Sequence, residues 1–455
     1  MAVSATGDAL TDGLPNPRRL WAFLVLAIAM TMAVLDGAIV NIALPTISHD
    51  LGVTPAQTIW IVNAYQLAIA VSLLPLAALG DTMGYRTVYT MGLAVFTVAS
   101  LVCATAPSVP ILVAARVVQG LGAAGMMCVN IAIIRFIYPS SMLGRGVGNM
   151  AVVVGCSSAI GPSVGAAILS VATWHWLFLV NVPIGVAAFL LGLRALPATP
   201  RRSHPIDVLS VGLNVATVAL LILGIDRLGD PRQLALALAE LAAAAAIGAV
   251  FVWRQLGLAL PILPVDLLRM PVFALSLATS ITSFASQSLG LIGLPFFFEG
   301  TLHLTDTQTG LLLTPWPLGI ALIAPISGRL ADRFPPGRLG SLGLVVQSTG
   351  LFLLAALPDN ATPLDIVWRL AICGLGFGFF QSPNNKLIVS SAPPNRSGGA
   401  SGLQSTGRLI GQSIGTAIMA VIFGRGFAHP TELALVIAGG LSLCGAVASG
   451  LRRAG

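Results

Sequence analysis

Charged side chains are scarce in this sequence of 455 residues, because Asp, Glu, Lys and Arg together make up only 9% of it. Soluble globular domains carry about 25% charged residues, whereas 56% of this chain is hydrophobic. The composition therefore excludes a soluble domain and predicts an integral membrane protein, with the lipid bilayer around most of the chain.

Lysine is scarcer still and occurs once, at Lys386, while the other basic residues are arginines, a preference that fits a GC-rich bacterial source. A Walker phosphate loop needs Gly-Lys-Ser/Thr. Leu387 follows the single lysine, so nucleotide hydrolysis by that route is excluded and we expect no enzyme. The net charge of +7 fits cytoplasmic loops that fix orientation, so we expect no nucleic-acid partner.

Cysteine is also rare. The five cysteines stand in apolar stretches without the spacing of metal ligands, which predicts small buried packing residues, no metal site and no cofactor. They are Cys103, Cys128, Cys156, Cys373 and Cys444.

Long apolar runs, in contrast, are abundant. A membrane-spanning helix needs about 20 mostly apolar residues, and helices and closed barrels alone satisfy their backbone hydrogen bonds in lipid. The pattern predicts an all-α membrane protein with fourteen spans, at about 20–44, 57–79, 87–106, 109–134, 147–171, 176–196, 208–226, 233–253, 271–298, 310–330, 339–357, 364–388, 401–424 and 431–451.

Basic residues are unevenly distributed between the two sides of these spans. With the N-terminus inside, seventeen of the 23 Lys and Arg residues fall in inner segments and four in outer ones, while Arg116 and Arg408 lie within spans. Because the cytoplasmic side carries the excess of Lys and Arg, we predict an even number of spans with both termini cytoplasmic. We expect the bacterial cytoplasmic (inner) membrane, and no cleavable signal precedes the first span.

A short pattern recurs after two spans. Residues 79–86 read LGDTMGYR after the second span, and residues 328–334 read GRLADRF after the tenth. Equivalent loops of two six-span halves would lie six spans apart, so their separation of eight predicts two extra spans in between. Such repeats are typical of secondary transporters, whose substrate site lies near the midplane. The predicted units are a tail at 1–19, a first half at 20–196, an insertion at 197–256, a second half at 257–451 and a tail at 452–455.

Asp36 lies inside the first span with no neighbouring charge. A carboxylate in hydrocarbon costs roughly 2.5–3.5 kcal/mol even on lenient insertion scales, so it needs a partner, a water-filled cavity or a proton. Burial disfavours the ionised form, and a proton and a cationic substrate would then compete for one carboxylate. We predict that Asp36 serves proton coupling and substrate binding; the alternative is a structural aspartate bonded to another span.

Arg116 is a charged residue in the middle of the fourth span. An arginine keeps its proton, so it needs an anion, backbone carbonyls or water. A fixed cation favours the ionised form of a nearby carboxylate and can set when the proton leaves. The alternative is an interhelical tie without a role in transport.

Motifs on several spans resemble those of the major facilitator superfamily, and within it the fourteen-span drug–proton antiporters. The first span reads LDGAIVNIALP, where the group has L-D-x-T-x-V-N-x-A-L-P, so Ala38 replaces the threonine. The loop motif G-x-L-A-D-R-x-G-R-K is half kept after span 2 and better kept at 328–333. The fourth span carries its whole motif in Leu112, Arg116, Gln119, Gly120, Gly122, Ala123 and Ala124.

The fifth span resembles the antiporter motif G-x-x-x-G-P-x-x-G-G at Gly161, Pro162 and Gly165, and residues 174–185 resemble the turn into span 6. The resemblance covers nearly the whole chain. It implies the major facilitator fold, two six-helix halves plus two inserted spans, and a proton-coupling role for Arg116.

Two groups of residues are candidates for gating. Gly161, Pro162 and Gly165 predict a hinge or seal between the halves; the alternative is ordinary close packing. Charges at inner helix ends can cap a helix or pair with each other and lock an inner gate; otherwise they are solvated orientation charges. The second group comprises Asp81, Gly84, Arg86, Asp332 and Arg333.

Polar and aromatic residues complete the predicted substrate site. Phe297 and Glu299 belong to the stretch PFFFEG, where an aromatic wall beside a carboxylate suits an organic cation, although an interfacial aromatic belt fits equally. Trp316 would line the cavity or anchor the interface. Glu240, in the eighth span, is expected at the periphery. The remaining candidates are Asn41, Asn63, Tyr65, Gln66, Gln287 and Asn384.

These observations predict a monomeric multidrug efflux pump of the antibiotic-resistance type, which exchanges protons for lipophilic organic cations by alternating access. One alternative keeps the fold and reverses the flow, as a proton symporter that imports an organic acid. A cavity rich in arginine and poor in carboxylates would favour that alternative. The other is a non-transporting membrane receptor or structural protein, which has no need of Asp36 or of the repeated loops.

Overall fold

The computed structural model describes residues 13–452, apart from 54, 200–206, 229–231, 259–261, 264, 305, 359–360, 394–395, 425–426 and 428. Regular structure in these residues is helical throughout. The tails predicted at 1–19 and 452–455 lie largely outside the described residues.

Seven helices form the first part of the chain: α1 (Arg18–Asp50), α2 (Pro55–Met83), α3 (Tyr85–Ala104), α4 (Val109–Ile137), α5 (Leu143–Val171), α6 (His175–Leu179) and α7 (Asn181–Ala195). Two follow as a hairpin, α8 (Val208–Arg227) and α9 (Leu234–Leu256). The second part contains α10 (Val265–Leu268), α11 (Pro271–Gly300), α12 (Asp306–Leu313), α13 (Pro315–Ala331), α14 (Pro336–Ala355), α15 (Pro363–Ser391), α16 (Ser397–Gly424) and α17 (Pro430–Gly450).

Twelve helical segments among the described residues are long and apolar enough to cross a membrane, which makes this a multi-pass membrane protein. Helices α5 and α16, of 29 and 28 residues, are not among those twelve. Both nevertheless pack in the middle of the molecule, α5 against α1 and α13, and α16 against α11 and α2. The count of fourteen spans and the cytoplasmic position of the termini remain predictions.

The two halves repeat the same close helix crossing. In the first half, α3 and α4 meet where a Cβ on Gly122 would lie 2.7 Å from the carbonyl oxygen of Gly92. In the second half, α14 and α15 meet where a Cβ on Gly376 would lie 2.7 Å from the carbonyl oxygen of Gly343. Small residues let helix backbones approach this closely in membranes, so the internal repeat extends from loop motifs to packing.

The α8–α9 hairpin lies at the side of the molecule. Asp207 caps α8 through the Ser210 amide and hydroxyl and pairs with Arg254 at 2.9 Å, while Arg227 pairs with Glu240 near the other end of the hairpin. Asn214 donates to the carbonyl oxygen of Val71 on α2 at 3.0 Å. Glu240 is therefore an ion-pair partner that ties α9 to α8, and we retain the predicted unit boundaries as a proposal.

Candidate functional site

Asp36 of α1 and Arg116 of α4 form a buried ion pair between Oδ2 and Nη1. Asp36 is 2% exposed and Arg116 is 0% exposed. The two charges come together because α1 and α4 pack in the same half. Each thus supplies the counter-charge that the other needs in an apolar environment.

Two amide side chains complete the coordination of the Asp36 carboxylate. Gln119 donates to Oδ1 at 2.9 Å and Asn181, at the start of α7, donates to the same oxygen at 3.2 Å. Gln119 also accepts from Arg116 Nη1 at 2.7 Å and donates to Ser100 of α3 at 2.8 Å. The network therefore joins α1, α3, α4 and α7.

The remaining surface of the Arg116 guanidinium is held by α2 and by aromatic rings. Its Nε donates to the carbonyl oxygen of Ile61 at 3.1 Å, and its carbon lies 4.0 Å from the Tyr65 ring centroid and 5.6 Å from that of Phe178. Tyr65 is fixed in turn by a hydrogen bond from its hydroxyl to the carbonyl oxygen of Ala33 at 3.1 Å. Arg116 Nη2 has no hydrogen-bond partner among the described residues.

This burial bears on the expected competition between proton and substrate at Asp36. Both carboxylate oxygens already accept hydrogen bonds, and Asp36 is not among the described residues that line the cavities. In this conformation a substrate in the cavity therefore does not touch Asp36. Tyr65, predicted to bind substrate, likewise belongs to the ion-pair network.

A cavity of about 430 Å³ lies between the halves, from the middle of the molecule to the second half of α12 on the predicted outer side. The predicted residues Gln287 and Trp316 line it, beside Ser158 and Phe377. Its volume falls in the range of 300–1,000 Å³ that is typical of ligand sites. It is the best placed of the cavities for a small-molecule substrate.

Arg408 of α16 stands at the boundary between this cavity and a smaller one of about 80 Å³ nearer the predicted inner side. The position of Arg408 within an apolar span is visible in the sequence, but its place at a cavity is not. Gln381 lines both cavities as well, while Asn130 and Gln404 line the inner one. We call the two together the central cavity.

The predicted residues Asn63 and Gln66 face a different space. They line a cavity of about 280 Å³ between α2, α8 and α16, with Trp60 at its wall. Gln412 of α16 lines this lateral cavity and the central cavity alike. The inserted hairpin thus forms part of a side pocket that adjoins the substrate-sized cavity.

Asp332, at the C-terminal end of α13, links the two halves at the predicted inner side. Its carboxylate pairs with Lys386 of α15 at 2.8 Å and accepts from the backbone amides of Gly144 and Arg145 at 2.9 and 3.3 Å. Those amides belong to the first turn of α5, where backbone donors lack helical partners and attract negative charge. Asp332 thus caps a helix of the opposite half.

The same region contains the closest approach between the halves. A Cβ on Gly328 of α13 would lie 2.3 Å from the carbonyl oxygen of Gly144, and a Cβ on Gly148 would lie 2.6 Å from that of Ala324. Arg135 of α4 adds hydrogen bonds to the carbonyl oxygens of Val389 and Ala392 at 3.0 and 2.9 Å. The predicted inner side is therefore closed.

The described contacts of the first copy of the loop motif lie in its own half. Asp81 accepts from the Tyr85 hydroxyl at 2.7 Å, Gly84 has a φ of +92° that glycine adopts without strain, and Arg86 donates to the carbonyl oxygen of Leu193. The loops are thus similar in sequence and different in contacts.

Other predicted residues lie elsewhere. Phe297 packs in the apolar core of the second half. Asn384 donates to Ser280 at 2.8 Å and accepts from Arg452. Arg333 and Arg145 line one cavity at the predicted inner side. Gly161 is buried, and a Cβ on Gly165 would approach Ile39 of the same half. The side chains of Asn41, Pro162 and Glu299 lie outside the described residues.

Four residues of these sites were not predicted to have a function of their own: Gln119, Asn181, Lys386 and Arg408. Gln119 carried a signal, since it stands three residues after Arg116 and residues at that spacing share a helix face. Arg408 carried another, as a charge within an apolar span. Asn181 and Lys386 reach their partners through tertiary packing alone.

Comparison with known proteins agrees with a helical membrane protein of two halves. Residues 26–416 match the family model of the Major Facilitator Superfamily. The chain is 49% identical to the uncharacterized transporter YebQ of Escherichia coli (strain K12), covering 97% of both chains. It is 28% identical to the riboflavin transporter RibZ of Clostridioides difficile (strain 630), covering 90% of both. It is 32% identical to the multidrug efflux pump LfrA of Mycolicibacterium smegmatis (strain ATCC 700084 / mc(2)155), covering 90% of this chain and 83% of LfrA.

Among solved structures, the human organic anion transporter MFSD10 (TETRAN) superposes with a TM-score of 0.69 at 14% identity, covering 96% of this chain and all of that one. At this identity the similarity concerns the fold alone. The receptor or structural alternative finds no support among these relatives. The chain belongs to the Major Facilitator Superfamily and is a membrane transporter rather than an enzyme, as its motifs predicted.

Proposed function

We propose that this transporter is a proton-coupled exporter of drug-like small molecules, which works by alternating access in the bacterial inner membrane. The observation that carries the proposal is the buried pair of Asp36 and Arg116. Similarity to LfrA, a multidrug efflux pump, supports export over uptake. One copy suffices, because the ion pair and the central cavity lie within one chain.

Protonation of Asp36 is the step that would couple the proton to transport. The ionised carboxylate holds Arg116 and Gln119 of α4 and Asn181 of α7. A neutral carboxyl interacts far less strongly with a guanidinium, and a buried charge that loses its partner is costly. Proton uptake would therefore release α1 from α4 and α7 and favour a different arrangement of the first half.

The closed inner side supplies the second conformational element. Asp332 must leave the α5 amides, and the Gly144–Gly328 contact must separate, before the central cavity can open inward. We propose that substrate occupancy and the charge of Asp36 bias this one equilibrium between closed and open inner sides. Coupling then runs through helix packing, because the substrate and the proton occupy separate sites.

A second candidate function is proton-coupled import of an organic acid. The specific observation in its favour is Arg408 in the central cavity, together with the absence of Asp and Glu among the described residues that line it. Import and export require the same proton site and differ in the direction of substrate flow.

Inside-out vesicles with an acidic interior test the export proposal. We would follow ethidium, riboflavin and fluorescein, a cation, a neutral compound and an anion, with wild type and Asp36→Asn. Asp50→Asn is the matched control, because Asp50 is an exposed aspartate at the far end of the same helix. We expect gradient-driven accumulation of at least one dye, lost in Asp36→Asn and kept in Asp50→Asn.

Other outcomes contradict parts of the proposal. Efflux of dye from preloaded vesicles under the same gradient would replace export by import. Absence of gradient-dependent movement for all three dyes would contradict proton coupling. Equal accumulation by wild type and Asp36→Asn would remove Asp36 from the coupling step.

A further inference from the structure

We infer that the central cavity selects substrates that carry an anionic group, and that Arg408 is the residue that binds this group. The inference rests on the proposed function in that the cavity is taken as the substrate site. It departs from the expectation of cationic substrates that the sequence raised.

The first argument is the charge of the cavity wall. Arg408 lines both parts of the central cavity, and the described lining residues include no Asp or Glu. Asp36, the buried acid of the first half, is paired with Arg116 and is 2% exposed. A cavity with one cation and no described counter-charge has a positive potential, which a low-dielectric wall strengthens.

The second argument is that Arg408 lacks a partner. No hydrogen bond, ion pair or ring contact of this guanidinium exists among the described residues, in contrast to Arg116, Arg135 and Arg452, each of which has two or more. An arginine keeps its charge even when buried. A charge in the membrane interior without a protein partner marks a place for an ion or substrate.

The third argument is that two polar side chains in the wall of the same central cavity, Trp316 and Asn130, are unpaired within the described part of the chain. Trp316, which lines the outer part of the cavity, buries its Nε1–H without an acceptor in the described structure. Asn130, which lines the inner part and is 2% exposed, has no partner for its amide nitrogen or oxygen among the same residues. Buried polar groups rarely stay unpaired, and both side chains belong to the wall of the central cavity. A small rotation of either side chain on binding would present its polar group to a ligand.

Together these groups indicate the chemical class of the ligand. An indole N–H and a guanidinium are donors only, and a planar carboxylate matches the guanidinium with two parallel hydrogen bonds. The wall around them is aromatic and aliphatic, with Phe284 and Phe377 on one side. The chemical class is an aromatic or lipophilic organic acid.

The alternative occupant, a lipophilic cation, meets repulsion. Arg408 would stand inside the same cavity as the cation, and its charge cannot be removed. The aromatic rings offer a cation–π attraction, but that is worth only about 0.5–2 kcal/mol and leaves the like charge unneutralised. A cationic substrate would need an acid that the described cavity wall lacks.

Dye binding by the full chain in lipid nanodiscs tests the assignment. Fluorescein and rhodamine 123 share a xanthene core and carry opposite charges, so fluorescence anisotropy compares charge at nearly constant shape. We would measure wild type, Arg408→Gln and Arg408→Lys, with Arg269→Gln as a control because Arg269 is an exposed arginine on the predicted inner side. Empty nanodiscs correct for partition into lipid.

We expect wild type to bind fluorescein at least tenfold more tightly than rhodamine 123. Arg408→Gln should lose at least tenfold in fluorescein affinity, Arg408→Lys should retain part of it, and Arg269→Gln should match wild type. Thermal unfolding of each variant verifies that the fold is intact. Rhodamine affinity that stays the same or increases in Arg408→Gln would show that charge, rather than damage, causes the loss.

Failure of fluorescein to bind more tightly than rhodamine 123 would overturn the inference, as would unchanged fluorescein binding in Arg408→Gln. Binding needs no proton gradient. Tight fluorescein binding without gradient-driven movement in vesicles would therefore contradict the proposed function alone, while gradient-driven movement of ethidium alone would contradict the inference alone.

Discussion

At the scale of single residues, Arg116 and Arg408, the two arginines within predicted spans, are in opposite situations. Arg116 has a carboxylate, an amide, a carbonyl oxygen and a tyrosine ring around it. Arg408 faces the central cavity and has no partner among the described residues. The surroundings of Arg116 suit a switch, because a proton on Asp36 would change the charge of the pair. The surroundings of Arg408 suit a binding site, because a substrate would supply the partner that this arginine lacks.

The pair of Asp36 and Arg116 predicts a specific pattern of stability. Removal of one partner leaves a buried charge uncompensated, which costs roughly 3–5 kcal/mol, whereas replacement of both is far less costly. Asp36→Asn and Arg116→Gln should each lower the free energy of unfolding in denaturing detergent, and the double variant should recover part of the loss. Additive losses would mean that the two side chains are not energetically coupled.

Some of these functional residues could be predicted from the sequence. Asp36 and Arg116 stand out because a charge in an apolar span always demands an explanation, and Gln119 shares the helix face of Arg116. The face that Arg408 presents to the cavity could not be predicted, because it depends on how α16 packs against α11 and α2. The partners Asn181 and Lys386 were hidden for the same reason.

At the scale of helices, α5 and α13 determine whether the halves meet at the predicted inner side. The sequence predicted a seal on α5 at Gly161, Pro162 and Gly165, around its predicted outer half. Close contacts between the halves are described in its first turns, at Gly144 and Gly148, and the seal at Gly161, Pro162 and Gly165 stays a prediction. Glycine spacing identified α5 as a helix for close packing, but the crossing point depends on the partner helix.

A methyl group on Gly328 should force the two helices apart. Its Cβ would lie 2.3 Å from the carbonyl oxygen of Gly144, and backbone cannot move aside without separating the helices. We expect the distance between spin labels at Ser141 and Phe334, exposed at the inner ends of the two halves, to increase in Gly328→Ala. In Gly212→Ala, where nothing lies within 4 Å of the added Cβ, the distance should not change.

An unchanged distance in Gly328→Ala would contradict close packing of α5 against α13 at the predicted inner side. Labels on the α8–α9 hairpin provide an internal reference, because that hairpin is tied by its own ion pairs, Arg227–Glu240 and Arg254–Asp207.

At the scale of the whole molecule, the account separates a proton site within the first half from a substrate site between the halves. The membrane class, the helical fold and the family could all be predicted from the sequence. Long apolar runs indicate membrane helices, and motifs in a fixed order along the chain indicate the family. Cavity chemistry was not, because it arises where residues of α4, α5, α11, α13, α15 and α16 converge. The sequence therefore suggested cations from Asp36, while the cavity wall favours anions through Arg408.

Substrate counterflow by Asp36→Asn in proteoliposomes tests this separation most directly. Vesicles loaded with unlabelled fluorescein and diluted into a trace of labelled dye exchange the two without any net proton movement. We predict that Asp36→Asn keeps this exchange, within about threefold of wild type, and loses accumulation driven by a proton gradient. Loss of exchange together with gradient-driven accumulation, while the variant remains folded, would mean that Asp36 acts on the substrate step itself and would contradict separate sites.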